Sequence, residues 1–303
     1  MVVALGFIVN RLITYGMDFS LLRSPWVVVG LFGVAVFEGI GVVGASLNYY
    51  ALVRNVSGIR VMRPLAVLVY NIANLYKYIP GGVMYVVGRN RLAVETEGLS
   101  HGKVAFATVL EGLIVAVGAL LVALVLSFEH SFSYIRQAAL SPLIIALVIG
   151  VPTLIALLVY FFWDRLRHKF KEFFADVDII KPGVIVKRLG VALVLMFFWG
   201  ASFVAVITLL GQPMTLSLAL TIVGLYLLSW LAGFLAPGAP SGFGIREAML
   251  LMLMPGVVND SVLLSAMLIH RFVTVLGDVI AYCFALIYER AATYRMEVKN
   301  EHV

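Results

Sequence analysis

Four acids, Glu38, Glu111, Glu247 and Asp278, and four cations, Arg11, Lys77, Arg246 and Arg271, fall within long apolar stretches of the chain. An ionised side chain surrounded by hydrocarbon is costly, so such groups either pair inside a bundle or line a polar pathway. Four against four permits full pairing. Arg271 and Asp278 stand seven residues, two helical turns, apart on one face, and this spacing predicts an interior network that also takes in Glu111. His270, next to Arg271, is the side chain able to gain and lose a proton near neutral pH, and it is the candidate for proton coupling. The single cysteine, Cys283, excludes an intrachain disulfide and a cysteine metal site, and no cofactor is expected.

Two further stretches combine a helix break with a cation. In "YIPGGVMYVVGR" (78–89) the break Pro80-Gly81-Gly82 precedes Arg89, and in "LAPGAPSGFGIRE" (235–247) Pro237-Gly238, with Gly242 and Gly244 behind it, precedes Arg246. The prolines are 237 − 80 = 157 residues apart and the arginines 246 − 89 = 157. Proline removes a backbone donor, and glycine accepts the angles of a sharp reversal. A broken helix presents unpaired N–H groups, and a neighbouring guanidinium completes a site for a phosphate group. Arg246, Arg89 and Lys77 are the expected ligands of that group. Glu247, beside Arg246, is the expected internal counter-ion, and Glu111, in the span after the first break, is expected to join it in neutralising the empty site. Tyr76, Tyr78 and Tyr85 around the first break are expected to pack at the membrane interface.

These side chains need a membrane scaffold to hold them. The 303 residues are 62% hydrophobic and 13% charged, with mean hydropathy +1.05, outside the range of a soluble domain. Apolar runs at 25–52, 104–127, 139–163, 189–210, 213–235 and 261–288 each approach or exceed the ~20 residues that cross a bilayer. A shorter run at 2–16, without a basic leader or a cleavage site, is expected to be a further anchor. Lys and Arg concentrate after the second of these spans, before the third, in the 164–188 loop and in the tail, which places those segments and the C-terminus in the cytoplasm. Both flanks of 64–100 are then on the same side, so this segment is expected to be a re-entrant hairpin. The second hairpin, 213–258, has flanks without Lys or Arg and enters from the other face. The expectation is therefore an all-α integral membrane protein of about six full spans plus two broken hairpins arranged as inverted repeats: a first half over 1–163, a basic cytoplasmic loop over 164–188 and a second half over 189–303. Interrupted helices at matching positions of inverted repeats mark a transport site near the midplane.

The basic balance of +6 lies in loops that orient the protein against anionic lipid, so a nucleic-acid partner is excluded. There is no HExxH and no phosphate loop, and an enzyme is not the leading reading. One enzymatic alternative stays open, since "APSG" (239–242) followed by His270 resembles the serine and histidine of rhomboid intramembrane proteases, with Ser241 as nucleophile. A non-transporting scaffold for envelope lipid or glycolipid assembly is the other alternative.

Taken together, "KYIPGGVMYVVGR" (77–89) and "APGAPSGFGIREAML" (236–250) resemble the two motifs of the lysylphosphatidylglycerol synthase transmembrane family, a flippase-type membrane region, over nearly the whole chain. The matching positions are Lys77, Pro80, Gly81, Arg89, Pro237, Gly238, Gly244, Arg246 and Glu247. The resemblance implies a stand-alone member without the synthase domain that moves an anionic or modified lipid between leaflets of the cell membrane. It also implies a separate lipid-synthesising enzyme as a partner, and it is compatible with an oligomer.

Overall fold

Proline opens three helices, at Pro25, Pro64 and Pro182, where its missing N–H is one that the first turn leaves unbonded anyway. The computed structural model describes residues 23–58, 61–78, 84–137, 180–236 and 240–301. Among them are eight α-helices and no strand: α1 Pro25–Ser57, α2 Arg63–Leu75, α3 Met84–Glu97, α4 His101–Gln137, α5 Pro182–Leu209, α6 Leu216–Leu235, α7 Ile245–Leu253 and α8 Asp260–Glu301. Short 3-10 turns at Tyr76–Tyr78 and Pro240–Gly242 follow α2 and precede α7. Five helices, α1, α4, α5, α6 and α8, are long and apolar enough to cross a bilayer, and the chain is an all-helical, multi-pass membrane protein. The expected spans at 2–16 and 139–163, the reversal Pro80-Gly81-Gly82, the pair Pro237-Gly238, Arg11 and most of the 164–188 loop lie outside the described residues.

Several boundaries differ from the sequence reading. The loop expected to run to residue 188 gives way to helix at Pro182, so Lys187 and Arg188 ride on the start of α5. There Arg188 Nη1 donates to Asn48 Oδ1 at 3.3 Å, an anchor that hydropathy does not register. α8 continues well past residue 288, and its 42 residues rise about 60 Å, twice the hydrocarbon thickness. The two hairpins are also unequal. α2 and α3, at 13 and 14 residues, each rise about 20 Å and cannot span alone, whereas α6 is a full 20 residues and α7 only 9.

Packing interleaves the two halves. α8 lies against α1 and α2, while α4 lies against α5 and α6, so the last described helix of each half packs on the first two described helices of the other. Exchanging α1 with α5, α2 with α6, α3 with α7 and α4 with α8 maps nearly every packed pair onto another packed pair, and leaves α1 on α5 unchanged. The exception is α3 on α4, whose counterpart, α7 with α8, makes no comparable contact. The two 3-10 turns touch each other, which brings the end of α2 beside the start of α7.

Small residues set the closest helix approach. A Cβ on Gly277 would sit 2.6 Å from Glu38 Cβ and 3.0 Å from the Ala35 carbonyl, so α8 can cross α1 here only with hydrogen at that position. Lipid offers helices little hydrophobic drive to associate, and close backbone contact supplies part of it instead. Gly277→Leu is expected to cost about 1–3 kcal/mol, the usual penalty of overpacking, and to lower the unfolding temperature in detergent. Gly183→Leu, where nothing lies within 4 Å of the added Cβ, is expected to leave that temperature unchanged.

Candidate functional site

Around the first break each cation is already taken. Arg89, on α3, is buried and donates from Nη1 to Glu111 Oε2 of α4. Its guanidinium also lies 4.2 Å from the ring centre of Tyr70 and 4.5 Å from that of Tyr49, with Tyr85 at 5.8 Å. Aromatic faces stabilise a cation electrostatically, and more strongly where water is excluded. Arg89 is thus caged, with Nε lacking a partner, and it does not face open space. Lys77, just ahead of the break, pairs with Asp278 of α8 at 2.7 Å. Asn74 Nδ2 donates to Asp278 Oδ1 at 2.8 Å and Tyr78 OH donates to Oδ2, so Asp278 gathers the end of α2 onto α8.

The second break is built from left-handed backbone. Ser241, Gly242 and Gly244 have φ of 50°, 69° and 85°, and Ser241 is the non-glycine residue in this region. Arg271 holds it there, donating from Nη1 to the Ser241 carbonyl at 3.1 Å and to its Oγ at 3.3 Å. Glu247 then caps α7, accepting from the Gly244 N–H at 2.7 Å, a favourable place for an acid in the first turn. Its other oxygen lies 3.1 Å from Arg271 Nη2. Gly233 and Gly242 let α6 meet the turn, and a Cβ on Gly233 would come within 2.5 Å of Arg246 Cγ. The stem of Arg246 therefore lies in a groove that only glycine leaves open.

Three expected pairings are corrected by this geometry. Glu247 is the partner of Arg271 and not of Arg246. The network of Arg271, Asp278 and Glu111 does not form, because Asp278 belongs to the first break and Glu111 to Arg89. Tyr78 is drawn into the Asp278 cluster and is not simply interfacial packing. The seven-residue spacing put Arg271 and Asp278 on one helix face correctly, but the other elements packed there claim them separately.

Arg246 is left over. Its Nη2 donates to Tyr226 OH, and its guanidinium lies 5.2 Å from the Tyr226 ring centre. Among the described residues no carboxylate stands within ion-pair distance of it. Glu38 of α1 is the matching remainder among the acids: Ser202 Oγ donates to its Oε1, and His270 Nε2 lies 3.3 Å from the same atom. Ser202 Oγ is also 3.0 Å from His270 Nε2. Phe203 and Tyr226 meet the imidazole edge-on, at 5.2 and 5.3 Å between ring centres.

Between these groups lies a cavity lined by Phe203, Tyr226, Arg246, Glu247, His270 and Arg271, among others. At about 20 Å³ of room for water centres it admits a water or two and is closed to a lipid headgroup by its size. No group of three or more His, Cys, Asp or Glu side chains suited to a metal ion occurs among the described residues. Ser241 and His270 do not bond to each other: the serine hydroxyl faces Arg271 and the imidazole Nε2 faces Ser202 and Glu38.

Of the residues expected at one site, Arg246, Glu247 and Arg271 line the cavity together with His270, whereas Arg89, Lys77, Glu111 and Asp278 pair with one another outside its lining. Sequence reasoning missed Tyr49, Tyr70, Tyr226, Ser202 and Gly233. A tyrosine, serine or glycine in an apolar helix carries no signal by spacing. Glu38 was visible as an intramembrane acid, but its partners come from helices more than 160 residues away in sequence. Neither a scan against protein-family models nor a search of curated proteins finds a match for this chain.

Arg89→Gln would leave Glu111 buried without its cation, and the expected cost is about 3–5 kcal/mol. The double variant Arg89→Gln, Glu111→Gln is expected to recover much of that loss in detergent unfolding, since it removes both charges together.

Proposed function

We propose that the chain is a membrane lipid transporter of the flippase type, in which Arg246 binds the phosphate of an anionic or modified lipid headgroup while the tails stay in the bilayer. The observation that carries this reading is that Arg246, half-buried at the cavity beside the touching 3-10 turns, has no carboxylate partner among the described residues. An intramembrane cation without an internal acid calls for an external anion, and phosphate is the anion that membrane lipids supply at that depth. Arg271, partly neutralised by Glu247, adds a second donor group to the same cavity.

The packing that survives exchange of the halves supports an inverted-repeat architecture, in which the site lies on the axis relating them. Helix starts support it too: Pro182 follows Pro25 by 182 − 25 = 157 residues, the offset that separates the two arginines. In this reading the closed cavity opens alternately to each leaflet as the hairpin carrying Lys77 parts from Asp278. The family resemblance of the two motifs points the same way, to the cell membrane and to a separate enzyme that makes the lipid, and the Lys and Arg bias of the loops points to a cytoplasmic C-terminus. Neither the protease nor the scaffold alternative has an observation in its favour, and the protease needs a bond between Ser241 and His270 that other partners replace.

Reconstitution into vesicles containing fluorescent phosphatidylglycerol, with dithionite added outside, tests the proposal. The wild-type protein is expected to expose inner-leaflet label. Arg246→Gln is expected to slow exposure roughly tenfold to a hundredfold, the effect of losing a charged hydrogen bond of about 1.5–3 kcal/mol. Equal rates for the two proteins overturn the assignment of Arg246.

A further inference from the structure

We propose that Glu38, Ser202 and His270 form a proton-carrying site linked to the cavity, so that an anion binding at Arg246 is accompanied by uptake of one proton. The inference rests on reading the cavity as an anion site, and it adds what balances the charge when that site fills.

Among the ionisable residues at membrane depth that the structure describes, Glu38 and Arg246 are the two without an oppositely charged Lys, Arg, Asp or Glu partner. Both adjoin His270: Glu38 meets its Nε2 at 3.3 Å, and Arg246 shares the cavity wall with the ring. With the cavity empty of anions, the positive charge of Arg246 offsets the nearby carboxylate. An anion on Arg246 cancels that offset and leaves Glu38 as an uncompensated buried charge, an expensive state that one proton relieves. The proton then belongs to the pair and not to either residue alone.

The hydrogen bonding accommodates both states. Ser202 Oγ lies within reach of Glu38 Oε1, of His270 Nε2 at 3.0 Å and of the Trp199 carbonyl at 2.7 Å, and a hydroxyl has one rotatable donor and two acceptor sites. With Glu38 ionised, the serine donates to the carboxylate. With Glu38 protonated, the acid donates to the serine, which turns its own hydrogen to the Trp199 carbonyl or to the imidazole. Neither state strands a buried polar atom. The groups facing His270 from every packed element enter the same balance: Glu38 from α1, Ser202 from α5, Tyr226 from α6, Arg246 and Glu247 from α7, and Arg271 from its own helix. The other charges among these, Glu247 and Arg271, neutralise each other at 3.1 Å. By reciprocity, whatever the anion does to proton affinity the proton does to anion affinity.

Calorimetric titration of the full chain in detergent tests this, with dioctanoyl phosphatidylglycerol in one arm and inorganic phosphate in the other. Each arm is run at one pH in two buffers of different ionisation enthalpy. The heats are expected to differ by the amount that about one proton taken up per anion requires, and Glu38→Gln is expected to abolish the difference. Binding from both arms identifies the phosphate group as sufficient, and binding from the lipid alone shows that the diacyl anchor is needed. Equal heats in both buffers overturn the inference. A ligand-free measurement guards against weak binding: Arg246→Gln removes the cavity charge as an anion would. It is expected to move loss of the cluster's proton to higher pH, read from the His270 ring resonances and the Glu38 carboxyl stretch. No movement overturns the inference as well. Vesicle exchange separates the two proposals, since exchange with equal heats removes proton linkage alone, whereas proton-linked binding without exchange removes transport alone.

Discussion

A charge held away from water must find its opposite, and the organisation of this protein follows from where that demand is met and where it is not. Arg89 has Glu111, Lys77 has Asp278, and Arg271 has Glu247. Each pair joins two separate elements, so the pairs act as rivets between helices that lipid alone gives little reason to associate. Breaking one leaves its partner stranded at a cost several times that of a surface pair. The unmatched residues, Arg246 and Glu38, sit at the centre of the same arrangement. They are the part of the charge pattern that structure alone does not explain.

The backbone is shaped to keep Arg246 available. Glu247, its neighbour in sequence, is turned away by its duty as the cap of α7 and by its contact with Arg271. Glycines at 233 and 242 open a groove for the arginine stem, and Tyr226 steadies the guanidinium without neutralising it. The first break, in contrast, encloses its arginine among three tyrosine rings and an acid. Arginines placed at one sequence offset therefore serve different ends, one as a fixed structural post and the other as an open donor.

Much of the frame was legible in the sequence. The long apolar runs located α1, α4, α5, α6 and α8, and the paired Pro-Gly motifs fall between the described ends of α2 and α3 and of α6 and α7, because hydropathy and helix-breaking residues act locally. The site was legible only in its local half. Arg246, Glu247, His270 and Arg271 stood out as ions in apolar surroundings, yet which ion meets which is a property of helix crossings, and that is why Glu247 and Asp278 were assigned the wrong partners. Ser202, Tyr226 and Gly233 acquire meaning from their neighbours in space, and no periodicity of the chain announces them. The loop boundary at Pro182 was missed for a different reason: Lys187 and Arg188 look like loop residues until Asn48 of another helix is there to receive one of them.

α8 carries His270, Arg271 and Asp278 within nine consecutive residues, about 12 Å of one rigid rod. Arg271 grips the turn before α7 and Asp278 grips the end of α2, so the two hairpins are handles on a single shaft. A tilt or rotation of that shaft cannot release one handle without loading the other. Under the transport function proposed above, the two handles would act as gates geared together, and gearing of that kind keeps a two-sided passage from standing open at both ends.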